Sequence, residues 1–530
     1  MAIQTCTQCT KPFEINDSDR KFYEKRDLTP SKRCPDCRLK TRLAFRNERN
    51  MYRRNCDLTK QSIISIYSPE KPYKTYQQDA WWSNKWDETS YGKVFDFSRS
   101  FFDQYKELLL AVPHPAVGYR FQSENCEYTT YQNHSKNCYI CSGSGYMEDC
   151  LYTNWTNYAK NSMDILGSYE IELCYELIDC KKMYQSTHCQ DSSLLTTCHY
   201  CYDCHSCANC FGCVGLRHQK FCFLNEQLTE AAYKEKIKNL NADSFVKDLQ
   251  KIYLNIPKRA LFLINCDNCT GDRLVNCKST QNSFYSDILQ DCNYNQDTYK
   301  NTDCYDMTRS AEAQMCYECI GGGDYYSCNF FVAGEHASYC TYCLFCFNSK
   351  NLFGCVGMRN REYCILNTKY SKEEYDKLRV AIIEHMKKTG EWGEFFPISM
   401  SPFDYSESLA EDFFPSSKQE INTKGFIWEV KNISNFVEQN YPNTNEVFNC
   451  TLCGKKYLTV TQELKFYRLM KLPLPSSCPN CRHLSRMAKR NPRKLWNRHC
   501  AKCSVEIQTT YAPDRPETVY CEPCYLKTIY

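Results

Sequence analysis

The chain has 530 residues but no apolar run of about 18, the length a membrane-spanning helix needs. Its first residues, MAIQTCTQCTKPFEIND, lack the apolar core of a secretory signal, which points to a reducing, cytoplasmic setting. No P-loop, HExxH, GxSxG or dinucleotide fingerprint occurs. Histidines number 10 and are scattered, with Glu335-His336 an isolated pair. These absences point away from an enzyme, and no small-molecule substrate suggests itself. A strong charge imbalance is missing too, because the net charge of +4 names no partner by itself. SGSG at 142–145 and IGGGD at 320–324 read as turns.

What is present in quantity is cysteine, 40 in all. With 42% hydrophobic and 24% charged residues the chain is globular, and it is long enough for several domains. In a secreted protein so many cysteines read as disulfides. Without an export signal they read as metal thiolates or small buried thiols.

Cys6, Cys9, Cys34 and Cys37 form two CxxC pairs separated by 24 residues, and Cys450, Cys453, Cys478 and Cys481 repeat that spacing 444 positions later. At the same offset Phe22-Tyr23 falls on Phe466-Tyr467, CPDCR on CPNCR, and Cys56 on Cys500. This is internal duplication. Two CxxC knuckles close a tetrahedral four-thiolate site with no open position, so the zinc is expected to be structural. A module this small needs the ion because it cannot bury enough apolar surface. Thiolate ligands alone leave iron open. A helix is expected after each second knuckle, the arrangement of a treble clef, and Pro492 should end or kink the second one.

Cys500, Cys503, Cys521 and Cys524 form a further CxxC…CxxC set, a C-terminal zinc ribbon. Its counterpart positions near the N-terminus read Cys56, Thr59, Gln77 and Ala80, so that site has lost three thiolates. There, packing of Trp81, Trp82 and Trp86 is expected to replace the metal. The count is three zinc ions per chain.

In the middle, FGCVGLRHQKFCFLN at 211–225 returns as FGCVGMRNREYCILN at 353–367, an offset of 142. Within each half, cysteine or serine recurs every twelve residues, from Cys126 through Ser162, Cys174 and Ser186 to Cys222, and from Cys292 through Cys316 to Cys340. Mostly small residues recur six places later, and tyrosines such as Tyr152, Tyr175 and Tyr317 follow the ladder position by one or two. Twelve fits no ordinary helix. It fits a β-solenoid, expected here with two short sides per coil and a core of small residues. LTEAAYKEKIKNL and YSKEEYDKLRVAI are expected helices capping the halves against edge pairing. The run Cys198, Cys201, Cys204, Cys207, Cys210, Cys213 has no Cys-Pro and unvarying steps, so it reads as a buried thiol ladder rather than an iron–sulfur site. A thiol-rich metal-storage or redox role is the alternative it leaves open.

The basic stretches carry the functional signal. Residues 32–54 hold nine Lys or Arg, and residues 482–498 hold seven with no acid. Arg42, Arg46, Arg49 and Arg53, with Arg486, Lys489, Arg490 and Arg493, are candidate phosphate contacts to RNA, DNA or a ribonucleoprotein. The competing readings are a solvated face, or a face docked on acidic parts of the solenoid, and the alternative function is a pure protein–protein scaffold.

The CxxC…FY…RCPxCR module resembles the zinc-ribbon, treble-clef domains of uncharacterised cysteine-rich bacterial proteins, some of which carry a CaiB/BaiF label. That resemblance implies zinc binding and says little of function. No coenzyme A site is visible in the sequence, and the lost ligands at Thr59, Gln77 and Ala80 depart from the doubled pattern. The expected organisation is mainly β with small α. Residues 1–55 form a treble clef and 56–114 a zinc-free ribbon and linker. Residues 115–250 and 251–380 are solenoid halves with capping helices, and 381–445 an irregular connector with docking clusters EWGEFFP and EDFFP. A second treble clef covers 446–498 and a zinc ribbon 499–530.

Overall fold

The computed structural model describes residues 2–415 and 446–529. The remainder of the expected connector, 416–445, lies outside the described residues. The protein is mainly β, built on a twelve-residue β-solenoid, with four-cysteine modules near both ends of the chain.

Successive coils pair in parallel at a register of twelve: Leu151 faces Met163, and Met163 faces Tyr175. In the second half the first step is eleven, Leu263 to Leu274, and later steps return to twelve, as from Tyr305 to Tyr317. Every third residue is left-handed, as at Asn137, Ile140, Tyr146, Asp149 and Tyr152, with glycine in place at Gly143. The residue after each of these corners points inward and is buried. A corner every three residues in a twelve-residue coil makes four sides, not the two expected from the sequence. The six-residue spacing of small residues is real, but it marks opposite sides of a square.

Cysteine and serine alternate freely along the ladder because both suit the same bonds. Cys198 Sγ donates to the carbonyl two residues back (Thr196, 3.4 Å) and lies 3.5 Å from the Cys207 carbonyl. Ser192 Oγ donates to Gln190 O (2.8 Å) and accepts the Cys204 N–H of the next coil (3.1 Å). A small polar side chain thereby meets backbone groups inside a core that excludes water.

The repeated FGCVG motif also finds its reason. Gly212 and Gly354 have φ of +66° and +64°, and a Cβ there would meet the rings of Phe245 at 2.5 Å and Phe101 at 2.9 Å. Those rings belong to the helices Ala242–Asn255 and Phe101–Ala111, which lie against the ends of the first and second halves. The glycines at 320–324 are not turns. They lie within the strand Tyr317–Tyr326, where a Cβ at Gly322 would fall 1.8 Å from the Gly334 carbonyl oxygen. SGSG likewise begins the strand Ser142–Glu148. The capping helices are Glu230–Lys238 and Lys372–Thr389, the latter closed by a Ser371–Glu374 capping box and Gly390.

The chain forms two compact units, each joining segments remote in sequence. Among the described residues, one unites the chain up to Gly118 with 262–415, and the other unites Tyr119–Leu261 with 446–529. The N-terminal module therefore lies on the second solenoid half, and the C-terminal modules lie on the first. In the first unit the connector also docks: Trp392 donates to Asp27 O (2.9 Å), Phe395 packs on Phe45, and Glu394 pairs with Arg33 at 3.2 Å.

Candidate metal centres and the surfaces they hold

Each knuckle is a tight hairpin. Cys6, Cys450 and Cys500 donate their N–H to the residue five ahead at 2.8–2.9 Å, and the turn aims the thiols inward. The second knuckles supply Cys34 and Cys37 on the helix Pro35–Ala44, and Cys478 and Cys481 on Pro479–Ala488. That second helix ends before Pro492, as the missing N–H requires.

Among the described residues, three sets of side chains could hold a metal ion. They are Cys6, Cys9, Cys34 and Cys37; Cys450, Cys453, Cys478 and Cys481; and Cys500, Cys503, Cys521 and Cys524. Within each set the sulfurs lie within 4.8 Å of one another. Sulfur–sulfur distances of 3.7 Å (Cys9–Cys34), 3.8 Å (Cys453–Cys478) and 3.7 Å (Cys503–Cys521) are the edges of a thiolate tetrahedron. Metal–sulfur bonds of about 2.3 Å give an edge of about 3.8 Å. The first thiol of each set is prepared for ionisation. Burial opposes this, but backbone N–H groups, from Cys34, Cys478 and Cys521 among others, bring Cys6, Cys450 and Cys500 down to about 6. The solenoid thiols form no such set among the described residues.

The dismantled fourth position keeps its knuckle without its ligands. Cys56 is fully buried and its sulfur accepts N–H from Thr59 and Gln77, both at 3.3 Å. Where the C-terminal ribbon sets Tyr525 against Arg217, this copy sets Trp81 and Trp86 against Arg359, 5.4 and 4.4 Å from the ring centres. Trp81 and Trp82 also pack on Phe347 of the second solenoid half. Aromatic packing on the solenoid stands where the other copy has a four-cysteine set that could hold a metal ion.

The basic helices hold several of their arginines in buried ion pairs. Arg486 is buried, 2.9 Å from Asp164 and 2.9 Å from Glu176, and Arg482 lies 2.8 Å from Asp164. Arg42 is buried 3.1 Å from Asp306 and 3.2 Å from Glu318, and Arg38 lies 3.0 Å from Asp306. Arg490 pairs with Asp179, Arg46 with Glu48 at 2.5 Å, and Arg49 with Asp412. Lys489 and Arg493 are half-buried, and Arg53 is exposed. Burial raises the carboxyls of Glu176 and Glu318, and the arginines beside them oppose the rise.

The two interfaces are copies under both duplications. Arg482 and Arg486 stand 444 positions after Arg38 and Arg42, and Asp306 and Glu318 stand 142 after Asp164 and Glu176. The surrounding contacts repeat as well. Tyr152 donates to Glu463 (2.7 Å) as Tyr294 does to Asp19 (3.1 Å), and Tyr467 meets Tyr175 edge-on as Tyr23 meets Tyr317. The tyrosine columns therefore serve as docking floors for the modules. Sequence reasoning missed the four carboxylates. Their only signal was that the same acidic residues recur at the same coil position in both halves.

No protein-family model matches this chain, and no curated protein does. Among the described residues, no helix is long and apolar enough to cross a membrane.

Proposed function

We propose that the protein is a non-catalytic scaffold whose solenoid halves are held by zinc-stabilised modules. The observation that carries this reading is the duplicated buried clamp, Arg482 and Arg486 on Asp164 and Glu176, and Arg38 and Arg42 on Asp306 and Glu318. Residues that neutralise carboxylates inside the protein are not offered to a phosphate backbone. All-thiolate tetrahedra with no open position suit structural zinc, and in the two larger modules the ion would fix the start of the clamp helix. Treble-clef geometry for the two larger modules, a reducing cytoplasm and a protein partner belong to the same reading.

Two measurements test it. Chelation should unfold the modules and speed hydrogen exchange along the docked strands Leu151–Asn154 and Tyr175–Ile178. If those strands stay protected without metal, the clamp is not zinc-dependent. RNA and duplex DNA should bind weakly at low salt, with a shallow salt slope. A steep slope that Arg53→Glu reduces would replace the scaffold reading by nucleic-acid binding.

A further inference from the structure

The modules occupy one side of the first solenoid half, and the opposite side carries a furrow of about 1110 Å³. The docked strands are Leu151–Asn154, Met163–Leu166 and Tyr175–Ile178. The furrow lies on Asn157–Lys160, Tyr169–Glu172 and Lys181–Tyr184, six residues further on, which is half a coil. One wall is the corner column His134, Tyr146, Tyr158, Glu170, Lys182 and Leu194. The other includes Glu148, Lys160, Glu172 and Tyr184.

A left-handed corner suits asparagine, aspartate or glycine and penalises bulky side chains. Asn137, Asp149, Asn161 and Asn209 of one column follow that rule, while Leu173, Gln185 and Thr197 of the same column depart from it. Under the modules Tyr152 and Trp155 break it where module side chains pack on them, although Gly143, Gly167 and Asp179 in the column of Trp155 follow it. The furrow column breaks it too, yet Tyr146 and Tyr158 are each 47% exposed. Their rings stack in a row with His134, centroids 4.7 Å apart and planes within 8°. The fold does not demand this row, since the equivalent positions in the second half are Asn276, Ile288 and Lys300.

Chemistry narrows the occupant. Acids and bases along the walls neutralise one another, Lys160 with Glu148 at 3.0 Å and Lys182 with Glu170 at 3.6 Å, so no net field favours a polyanion. Backbone N–H groups on this side are used between coils, Tyr169 to Cys180 O at 2.9 Å and Lys181 to Ser192 O at 3.0 Å, so no peptide strand can add to it. What remains is a row of aromatic edges beside alternating donors and acceptors, repeated once per coil. We propose that this furrow binds a neutral, extended glycan, its hydroxyls on the Glu/Lys ladder and its apolar faces against the tyrosine and histidine row. The proposal deepens the scaffold reading and rests on it for a first half held rigid by its zinc modules.

The test is calorimetric titration of the zinc-loaded full chain with hexamers of β-1,4-glucose, β-1,4-N-acetylglucosamine and α-1,4-glucose, alongside a short single-stranded RNA and an acidic peptide. At least one glycan should bind, and Tyr146→Ala with Tyr158→Ala should weaken it by about tenfold or more. Ile288→Ala, at the equivalent place in the second half, should leave binding unchanged. Both tyrosines are exposed, so zinc content and circular dichroism should not move in the double variant. Three results overturn the proposal: no hexamer binds, the tyrosine variant binds equally well, or the variant loses RNA or peptide binding instead. If glycan binding fails while chelation still releases the docked strands, the glycan proposal falls and the zinc-clamp reading stands.

Discussion

The guanidinium of Arg486 lies 2.9 Å from the carboxylate of Asp164, and neither side chain reaches solvent. Their counterparts Arg42 and Asp306 repeat the contact at 3.1 Å. A charge buried this way is costly unless paired, so removing one partner leaves the other stranded. Arg486→Ala or Arg42→Ala should destabilise its own unit by about 3–5 kcal/mol, read by chemical denaturation. In a double-mutant cycle with Asp164→Ala, the second substitution should cost much less than the first. Additive costs would mean that the pair does not act as a clamp.

Elemental analysis of protein prepared under reducing conditions should give close to three zinc ions per chain, from the three complete thiol sets. Cys478→Ser should lower that number by one. Cys56→Ser should leave it unchanged, because its neighbours Thr59, Gln77 and Ala80 offer no thiolates. Four ions in the parent protein would show that the degenerate ribbon or the solenoid core holds metal after all.

Cys174 and Cys316 are fully buried on the inner face of their coils. Leucine at either position should overpack the square core and cost about 1–3 kcal/mol. Serine should be milder, because Ser162 and Ser186 already occupy the same column and make the same bonds. Equal tolerance of leucine and serine, by thermal denaturation, would refute a core of this width.

Lys258 is buried where its strand pairs with the C-terminal ribbon, its Nζ 2.6 Å from the Tyr253 carbonyl and 3.6 Å from that ring's centre. Burial depresses it to about 7 from 10.5, with Asp203, Glu517 and Asp191 opposing the fall. A lysine lowered on folding is neutral in the native state and protonated in the unfolded chain across that window. The unfolded state then binds more protons, so stability should rise with pH from about 7 toward 10.5. Lys258→Met should flatten this rise relative to the parent, measured as denaturation midpoint against pH. An unchanged slope would place the titration elsewhere.

The four-cysteine sets that could hold metal and the solenoid were legible in the sequence because both are set by local spacing. A CxxC knuckle is closed by bonds within a few residues, so Cys6 and Cys9 or Cys500 and Cys503 declare themselves without their fold. A twelve-residue recurrence likewise marks one coil, since each coil must place the same small side chain on the same inner wall. Tertiary structure alone decided the number of sides, because a small residue six places after each cysteine suits two sides per coil as well as four. It also decided what the arginines do. Arg486 in its own segment has no acid nearby and looks ready for phosphate. Its true partners, Asp164 and Glu176, lie about three hundred residues earlier in the chain. Coulomb attraction acts through space and strengthens as water leaves, so the choice between an external phosphate and an internal carboxylate is made only when the module meets the solenoid.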